Sequence, residues 1–212
     1  MPPRILITGF GPFPGAPYNP TPDLVARLVA LRRPALAGVI RIGHIFTVTY
    51  GTVDDELPKL IATHRPDALL MFGLAQSTPF IRVETRARNA VSLLWPDAGH
   101  TAVRRMTITP DGEALQFGPH TRTMLRAAQA TGIDCRASRD AGRYLCNYLS
   151  FRALQTTRQP DGPRLATFVH VPTVPRRGGR PQRGQLSAED LVTAGTAVLL
   201  ETARLTHTRP IR

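Results

Sequence analysis

Hydrophobic and polar positions alternate along this 212-residue chain in a pattern that predicts strands separated by amphipathic helices. Short, nearly continuous apolar runs are followed by segments whose apolar residues recur every three or four positions. No internal repeat interrupts this order. The pattern is typical of an α/β fold, in which helices cover both faces of a central sheet.

The apolar runs and the turn-forming residues between them set the expected element boundaries. Strands are expected at 4–8, 39–48, 68–72, 81–89, 106–109, 133–137 and 165–171, the last one ended by Pro172. Helices are expected from Thr21, as N-cap before Pro22; at 53–64, where Pro58 must kink the helix or delay its start; at 120–130, stopped by Gly132; from Asp140 to about Leu154; and after the capping-box-like residues 187–190. We therefore expect one domain at 1–206, with a mobile basic loop at 176–185 and a frayed tail at 207–212.

Cys146 is the first candidate for chemistry. It falls within the first turns of a predicted helix that follows a strand, where the helix dipole and any nearby cation would lower the thiol pKa and favour the nucleophilic thiolate. The alternative is a structural cysteine, since most free cysteines behave as small hydrophobic residues. The other cysteine is Cys135. Two cysteines are too few for a disulfide framework and lack the spacing of a zinc site.

His170 and Glu84 could complete a nucleophilic site around Cys146. His170 lies at the carboxyl end of a predicted parallel strand, where open α/β sheets place their ligands. Glu84 lies on the charged face of an alternating strand and could orient an imidazole. In such a site the imidazole takes the thiol proton and the carboxylate holds one imidazole tautomer. The simpler alternatives are a core histidine, and a salt bridge from Glu84 to Arg82 or Arg86.

Four parts of the chain, in order and spread over nearly its whole length, resemble a single family. They are Thr8-Gly9-Phe10-Gly11-Pro12-Phe13 with Asn19-Pro20, the segment 84–89, Ala141-Gly142-Arg143-Tyr144-Leu145-Cys146-Asn147, and Phe168-Val169-His170-Val171-Pro172. Together they resemble pyroglutamyl peptidase type I, also called pyrrolidone-carboxylate peptidase. The resemblance implies a single-domain, three-layer α/β/α fold with a twisted, mostly parallel central sheet. It also implies a cysteine exopeptidase that removes the N-terminal pyroglutamyl residue from peptides.

The same resemblance implies roles for individual residues. The catalytic triad of the family corresponds to Glu84, Cys146 and His170. Its aromatic grip on the lactam ring corresponds to Phe10, Phe13 and Tyr144, which suits a flat, uncharged ring. An equally simple account of the two phenylalanines is a loop anchored by two aromatic side chains. His170 would deprotonate Cys146, and the acyl-enzyme that follows would be hydrolysed without a metal or other cofactor.

Two positions depart from the pattern of many bacterial members. Leu74 stands where those members carry Gln after the glycine that matches Gly73, near the substrate ring. Leu94 stands where they carry Arg, near the site of the oxyanion. These differences leave open a variant that keeps the fold and triad but acts on another small acyl or lactam substrate.

The positive charge of the chain suggests nucleic-acid binding as a second class of function. The formal net charge is +12, and Lys59 is the only lysine beside many arginines. The arginines are spread over every predicted element, which favours a solvated surface over a nucleic-acid footprint. The run at 176–180 resembles a short arginine-glycine motif, but it has no aromatic residue for base stacking. A nucleic-acid-binding protein without peptidase activity is thus the alternative, and we expect the basic loop to be a rim of the site.

The N-terminal apolar run at 5–7 is broken at once by Thr8 and Gly9. It is too short for the apolar core of a signal peptide or for a membrane span. We therefore expect a cytoplasmic protein without membrane contact. The family resemblance further implies a homo-oligomer, commonly a tetramer, with N-terminal pyroglutamyl peptides as its partners.

Overall fold

The structure, a computed structural model, describes residues 2–13, 15–101, 103–176 and 179–207. Within these ranges the strands are β1 (Arg4–Phe10), β2 (Ile40–Phe46), β3 (Ala68–Leu74), β4 (Ile81–Glu84), β5 (Arg86–Ala87), β6 (Leu115–Gln116), β7 (Cys135–Ser138) and β8 (Leu165–Val171). The α-helices are α1 (Thr21–Ala30), α2 (Tyr50–His64), α3 (His120–Gln129), α4 (Leu145–Thr156) and α5 (Ala188–His207).

The central sheet has the strand order β2-β1-β3-β8-β4-β7. The first four of these strands run parallel, whereas β4 runs antiparallel to β8 and parallel to β7. A separate antiparallel pair joins β5 to β6. The prediction of a mostly parallel sheet is therefore confirmed, and the carboxyl ends of β1, β3 and β8 meet at one edge.

Alternate strand residues face two hydrophobic cores. One core packs Ile5 and Ile7 of β1 against α1, α3 and α5, and the other packs Leu6 and its neighbours against α2 and α4. Helices thus cover both faces of the sheet, which confirms the three-layer α/β/α architecture. Because the central strands are buried on both faces, they read in the sequence as continuous apolar runs.

Several predicted boundaries are confirmed by the local hydrogen bonds. Ser187 Oγ accepts a hydrogen bond from the Asp190 backbone N–H at 3.1 Å, and the Asp190 carboxylate accepts one from the Ser187 N–H at 2.8 Å. This capping box opens α5 as predicted. Gly132, with φ of 79°, turns the chain away after α3, and β8 ends immediately before Pro172.

Three helix starts differ from the predictions. Thr21 is the first residue of α1 and not its N-cap, because its hydroxyl is engaged by the Phe10 backbone N–H at 3.1 Å and C=O at 2.9 Å. The helix α2 begins at Tyr50, with Thr49 as N-cap, and runs through Pro58 to His64. The proline therefore neither delays the start of the helix nor ends it.

The third correction concerns the helix that carries Cys146. It starts at Leu145 and not near Asp140. Asp140 instead accepts a hydrogen bond from the Gly142 N–H at 3.0 Å, in a turn where Gly142 has φ of 79°. Such a turn is incompatible with helix continuation, so the cysteine lies closer to the helix start than the sequence predicted.

Two strand predictions were also wrong in this region. No strand forms at 106–109, because the Asn89 side-chain oxygen accepts hydrogen bonds from the backbone N–H groups of Ile108 and Thr109 at 2.8 and 2.9 Å. A side chain therefore replaces the partner strand that the pattern implied. The strand predicted at 81–89 is likewise broken after Glu84, where β4 ends and the chain passes to the β5–β6 pair.

The predicted tail and basic loop lie partly outside the described residues. His207 still belongs to α5, and 208–212 lie outside, as do Arg177 and Gly178 of the basic loop. The described Arg176 places its guanidinium 5.7 Å from the ring centroid of Tyr18. The mobility of the loop at 176–185 stays a prediction. No helix in the described part of the chain is long and apolar enough to cross a membrane.

Candidate active site

A pocket of about 330 Å³ opens at the edge where β1, β3 and β8 end. Phe10, Leu74 and His170 line it from these three strands, and Cys146 lines it from the start of α4. Glu84 lies directly behind the imidazole and is completely buried. The structure therefore brings together all three residues that the sequence singled out for catalysis.

His170 and Glu84 form a buried hydrogen-bonded pair between β8 and β4. The His170 Nδ1 lies 2.8 Å from the Glu84 Oε1, and both side chains are almost free of solvent contact. Because a carboxylate only accepts, Nδ1 carries the hydrogen and Nε2 of a neutral ring is left as the proton acceptor. The pair thus fixes the tautomer that a general base requires.

Cys146 is the second residue of α4, whose N-cap is Tyr144. A Cβ atom placed on Gly73 would lie 2.7 Å from the Cys146 Sγ and 2.7 Å from the Phe168 ring. Gly73 is also the strand partner of His170 in the β3–β8 register. The thiol therefore packs against the backbone of Gly73, whose direct partner on the next strand is His170.

The pKa of the Cys146 thiol differs from the prediction. Burial raises the pKa of the Cys146 thiol to about 12, and the charge of Glu84 adds to that rise, while Arg82 acts in the opposite direction. The expectation that the helix start lowers this pKa was wrong, because loss of water outweighs the nearby cation and the backbone. Burial also lowers the pKa of His170, although the hydrogen bond and charge of Glu84 oppose that change. Both changes in pKa favour a neutral thiol and a neutral imidazole over a thiolate–imidazolium pair.

The three predicted substrate-binding residues also line this pocket. Phe10 is 2% exposed, and its ring centroid lies 6.0 Å from that of Phe46, so it belongs to the core as well as to the pocket. Phe13 and Tyr144 face each other with ring centroids 6.2 Å apart. The Tyr144 hydroxyl donates a hydrogen bond to the Pro96 carbonyl at 3.0 Å, which fixes this aromatic ring at the pocket wall.

The two positions that depart from the family pattern are placed very differently. Leu74 lines the pocket and makes that part of its wall apolar. Leu94 is 84% exposed and is not among the described residues that line the pocket. Of these two differences, only the one at Leu74 touches the candidate substrate space.

Three residues shape the site in ways that the sequence did not predict, although Arg82 was named as a possible salt-bridge partner of Glu84, and Gly73 and Asn147 match the family pattern. Arg82 lines the pocket and is the antiparallel partner of His170, with its Nε 3.5 Å from the Glu84 Oε1. Asn147, buried beside the cysteine, donates to the carbonyls of Arg88 and Ala90, both at 2.9 Å, and so ties the chain after β5 to α4. Gly73, within an apolar strand, makes room for the thiol. A glycine inside a strand is the signal that could have revealed it.

The remaining sequence candidates lie elsewhere. In the described part of the chain, no three His, Cys, Asp or Glu side chains cluster as a metal site would require. Of the described residues at 176–185, none lines the pocket, so the rim role of this loop stays a prediction. Cys135 is buried in β7.

A comparison with protein families shows which family the chain belongs to. The sequence model of the family described as pyroglutamyl peptidase matches residues 3–203. The chain belongs to this family. Pyroglutamyl peptidases are cysteine peptidases, and the chain is accordingly an enzyme of that class.

Individual relatives agree with this assignment. The pyrrolidone-carboxylate peptidase of Levilactobacillus brevis is 33% identical over 203 residues, which cover 92% of this chain and 95% of the relative. That of Vibrio vulnificus is 31% identical and covers 89% and 87%. Among solved structures, the pyrrolidone carboxyl peptidase from Thermococcus litoralis has a TM-score of 0.83 at 26% identity, covering 97% of this chain and 96% of that one. The predicted family and fold are confirmed.

Proposed function

We propose that the chain hydrolyses N-terminal pyroglutamyl residues from peptides with Cys146 as nucleophile, His170 as general base and Glu84 as the group that orients the imidazole. The observation that carries the proposal is the buried 2.8 Å contact from His170 to Glu84 beside a pocket that also exposes Cys146. Of the two described cysteines, Cys146 is the one that lines the pocket. The geometry therefore supports a role for all three side chains in one reaction.

The reaction starts from a neutral Cys146 thiol and a neutral His170 imidazole. As the Cys146 Sγ attacks the pyroglutamyl carbonyl, its proton passes to the His170 Nε2, and the Glu84 carboxylate stabilises the imidazolium that forms. Backbone N–H groups at the start of α4 are suitably placed to hold the oxyanion. Collapse of the tetrahedral intermediate breaks the C–N bond, and the imidazolium returns its proton to the leaving amine.

The second half of the reaction releases the acyl group. The first step leaves a pyroglutamyl thioester on Cys146 and a neutral imidazole. His170 then takes a proton from water, whose oxygen attacks the thioester carbonyl. The C–S bond breaks, the thiol regains its proton and free pyroglutamate leaves. No electron is gained or lost.

Recognition of the lactam rests on aromatic side chains. Phe10, Phe13 and Tyr144 offer apolar faces to a flat ring, and polar backbone groups pair with its amide. The Leu74 side chain has no hydrogen-bonding group, so on that side of the pocket only backbone groups would hydrogen-bond to the lactam ring. This position favours a second candidate function, in which the same triad acts on another small acyl or lactam group.

Two properties of the whole protein belong to the same proposal. We infer that it works in the cytoplasm and that it assembles into a homo-oligomer, as the family resemblance implies. Sedimentation velocity at several concentrations tests the assembly. A monomer at all concentrations would contradict it.

The direct test is hydrolysis of a chromogenic pyroglutamyl amide. Wild type should release the chromophore, and Cys146→Ala should lose at least about 10⁴-fold in turnover, as expected when a nucleophile is removed. Cys135→Ala is the matched control and should keep its activity, because this thiol lies in β7 away from the pocket. Absence of hydrolysis by a folded wild type, or equal activity of Cys146→Ala, would contradict the proposal.

A further inference from the structure

A second pocket, of about 560 Å³, adjoins the candidate active site. Both pockets are lined by Phe13 and Tyr144, so these two rings form a common wall. Trp95, Gln76 and His100 also line the second pocket. Its lining is mostly apolar, and its size is within the usual range of ligand pockets.

The segment that carries Trp95 is anchored by a buried carboxylate. Asp97 accepts hydrogen bonds from the backbone N–H groups of Tyr50 at 3.1 Å, Gly99 at 3.0 Å and Thr101 at 2.8 Å. Its oxygens are thereby engaged by the protein. The pocket is thus shaped by a fixed loop, and its acidic residue is already bound to backbone.

Other contacts fix the remaining walls. The Tyr144 hydroxyl donates to the Pro96 carbonyl at 3.0 Å, and the Gln76 side-chain amide donates to the Gly15 carbonyl at 3.0 Å. The first bond links the start of α4 to the segment of Trp95, and the second links Gln76 to the loop of Phe13, whose ring contacts that of Tyr144. A cavity with its walls tied in this way needs little rearrangement to receive a ligand.

Within the described part of the chain, Trp95 has no comparable hydrogen-bond partner. Its side chain is 66% exposed, although it forms part of the wall of an apolar pocket. A large aromatic ring held at a pocket mouth is an expected anchor for an apolar group, because it supplies contact area at small cost in conformational entropy.

We propose that this second pocket binds an apolar or aromatic side chain from one of the first two residues after the pyroglutamyl residue of a peptide substrate. The inference rests on the proposed function. A pyroglutamyl residue is N-terminal and cyclised, so nothing precedes it. The only part of the substrate that extends beyond the first pocket is the chain that follows the scissile bond.

The length of the peptide chain and the polarity of the second pocket both agree with an apolar side chain as the occupant. Two residues of extended chain span about 7 Å, which is enough to pass the edge of a single aromatic wall. A charged side chain of either sign would lose water against the mostly apolar lining, and a basic one would find no free carboxylate because Asp97 already accepts three backbone hydrogen bonds. Substrates with acidic or basic residues at these positions should therefore bind less well than those with aromatic residues.

The test compares the peptide amide pyroglutamyl-Ala-Ala with three others that each differ from it at one position: pyroglutamyl-Phe-Ala, pyroglutamyl-Ala-Phe and pyroglutamyl-Asp-Ala. Wild type should cleave at least one of the Phe peptides about 10-fold more efficiently than the Ala-Ala peptide, the scale of a well-filled apolar subsite. Trp95→Ala should remove most of that preference and leave kcat/KM for the Ala-Ala peptide unchanged. Leu94→Ala is the control, because Leu94 is the neighbour of Trp95 in the sequence but is more exposed and does not line the pocket.

Three results would overturn the inference. Equal efficiency of wild type on all four peptides would exclude an apolar subsite. An equal loss of efficiency on all peptides in Trp95→Ala, together with a smaller sedimentation coefficient, would assign this surface to a contact between copies of the chain. If wild type cleaved none of the peptides, the proposed function itself would be wrong and the inference would fail with it.

Discussion

The Nδ1 of His170 lies 2.8 Å from the Oε1 of Glu84, across two antiparallel strands and out of contact with water. The direct strand partner of His170 is Arg82, whose Nε lies 3.5 Å from the same carboxylate oxygen. The imidazole therefore experiences opposing influences. Glu84 favours its protonated form, whereas burial and the arginine disfavour it.

The first prediction concerns Glu84→Gln. The hydrogen bond and charge of Glu84 raise the pKa of His170, so their loss should lower it and move the acid limb of the kcat/KM profile to lower pH. Turnover should fall by about 10²- to 10⁴-fold, less than after removal of the nucleophile, because the tautomer is no longer fixed. The measurement is the pH dependence of kcat/KM. An acid limb that moved to higher pH would contradict this account.

The second prediction is the opposite shift in Arg82→Gln. The positive charge of Arg82 lowers the pKa of both His170 and Cys146, so its removal should raise both. The acid limb should move to higher pH, and alkylation of the thiol at a fixed pH should slow. Arg86→Gln is the control, since its side chain donates to the Arg139 carbonyl on the surface. Identical shifts in the two variants would show that the effect is not local.

The third prediction is that Gly73→Ala damages the site without a change in any reacting group. The added Cβ would lie 2.7 Å from both the Cys146 Sγ and the Phe168 ring, so one of them must move. A displacement of this kind should lower kcat by about 100-fold. The control is Gly51→Ala in α2, where a Cβ meets nothing within 4 Å and should leave kcat unchanged. Full activity of folded Gly73→Ala would place the thiol elsewhere.

The fourth prediction concerns specificity for the lactam ring. Proline lacks the ring carbonyl and carries a charged amine, and each unmet group costs about 1–3 kcal/mol, so pyroglutamyl amides should be strongly preferred to prolyl amides. Phe13→Ala should reduce kcat/KM for the pyroglutamyl amide and leave alkylation of Cys146 unchanged, because it alters the pocket wall and not the triad.

Phe13 is a cleaner probe than Phe10. Phe10 is almost fully buried against Phe46, so Phe10→Ala should also cost about 3–5 kcal/mol of unfolding free energy. Comparable efficiency of wild type on prolyl and pyroglutamyl amides would mean that the substrate was misidentified although the fold was correct. Leu74, which lacks a polar side-chain group, would then be the first position to vary.

The buried strands and the candidate catalytic side chains could both be named from the sequence, the strands from their apolar pattern and the side chains from the family resemblance. The strand that contains His170 is apolar on both faces, so its pattern is unambiguous and Pro172 marks its end. The strand expected at 106–109 failed because strand propensity is local. Its backbone donors are taken by the Asn89 side chain, a contact between positions far apart in the chain.

The electrostatics of the site could not be predicted in the same way. Placement of Cys146 near a helix start suggested a lowered thiol pKa, and burial reversed the sign. That burial depends on close approach of the thiol to Gly73 and Phe168, which come from two strands of the sheet. The sequence offered Arg82 only as a possible salt-bridge partner of Glu84, whereas its antiparallel pairing with His170 also places it at the pocket. Such contacts exist only in the folded chain.

The central claim is that Cys146 carries the pyroglutamyl group during turnover. The most direct measurement is mass spectrometry of the enzyme quenched in acid during turnover of an activated pyroglutamyl ester, followed by peptide mapping. Wild type should show a mass increase of one pyroglutamyl acyl group on the peptide that contains Cys146, and Cys146→Ala should show none. An adduct on Cys135, or turnover by Cys146→Ala at the wild-type rate, would contradict the account.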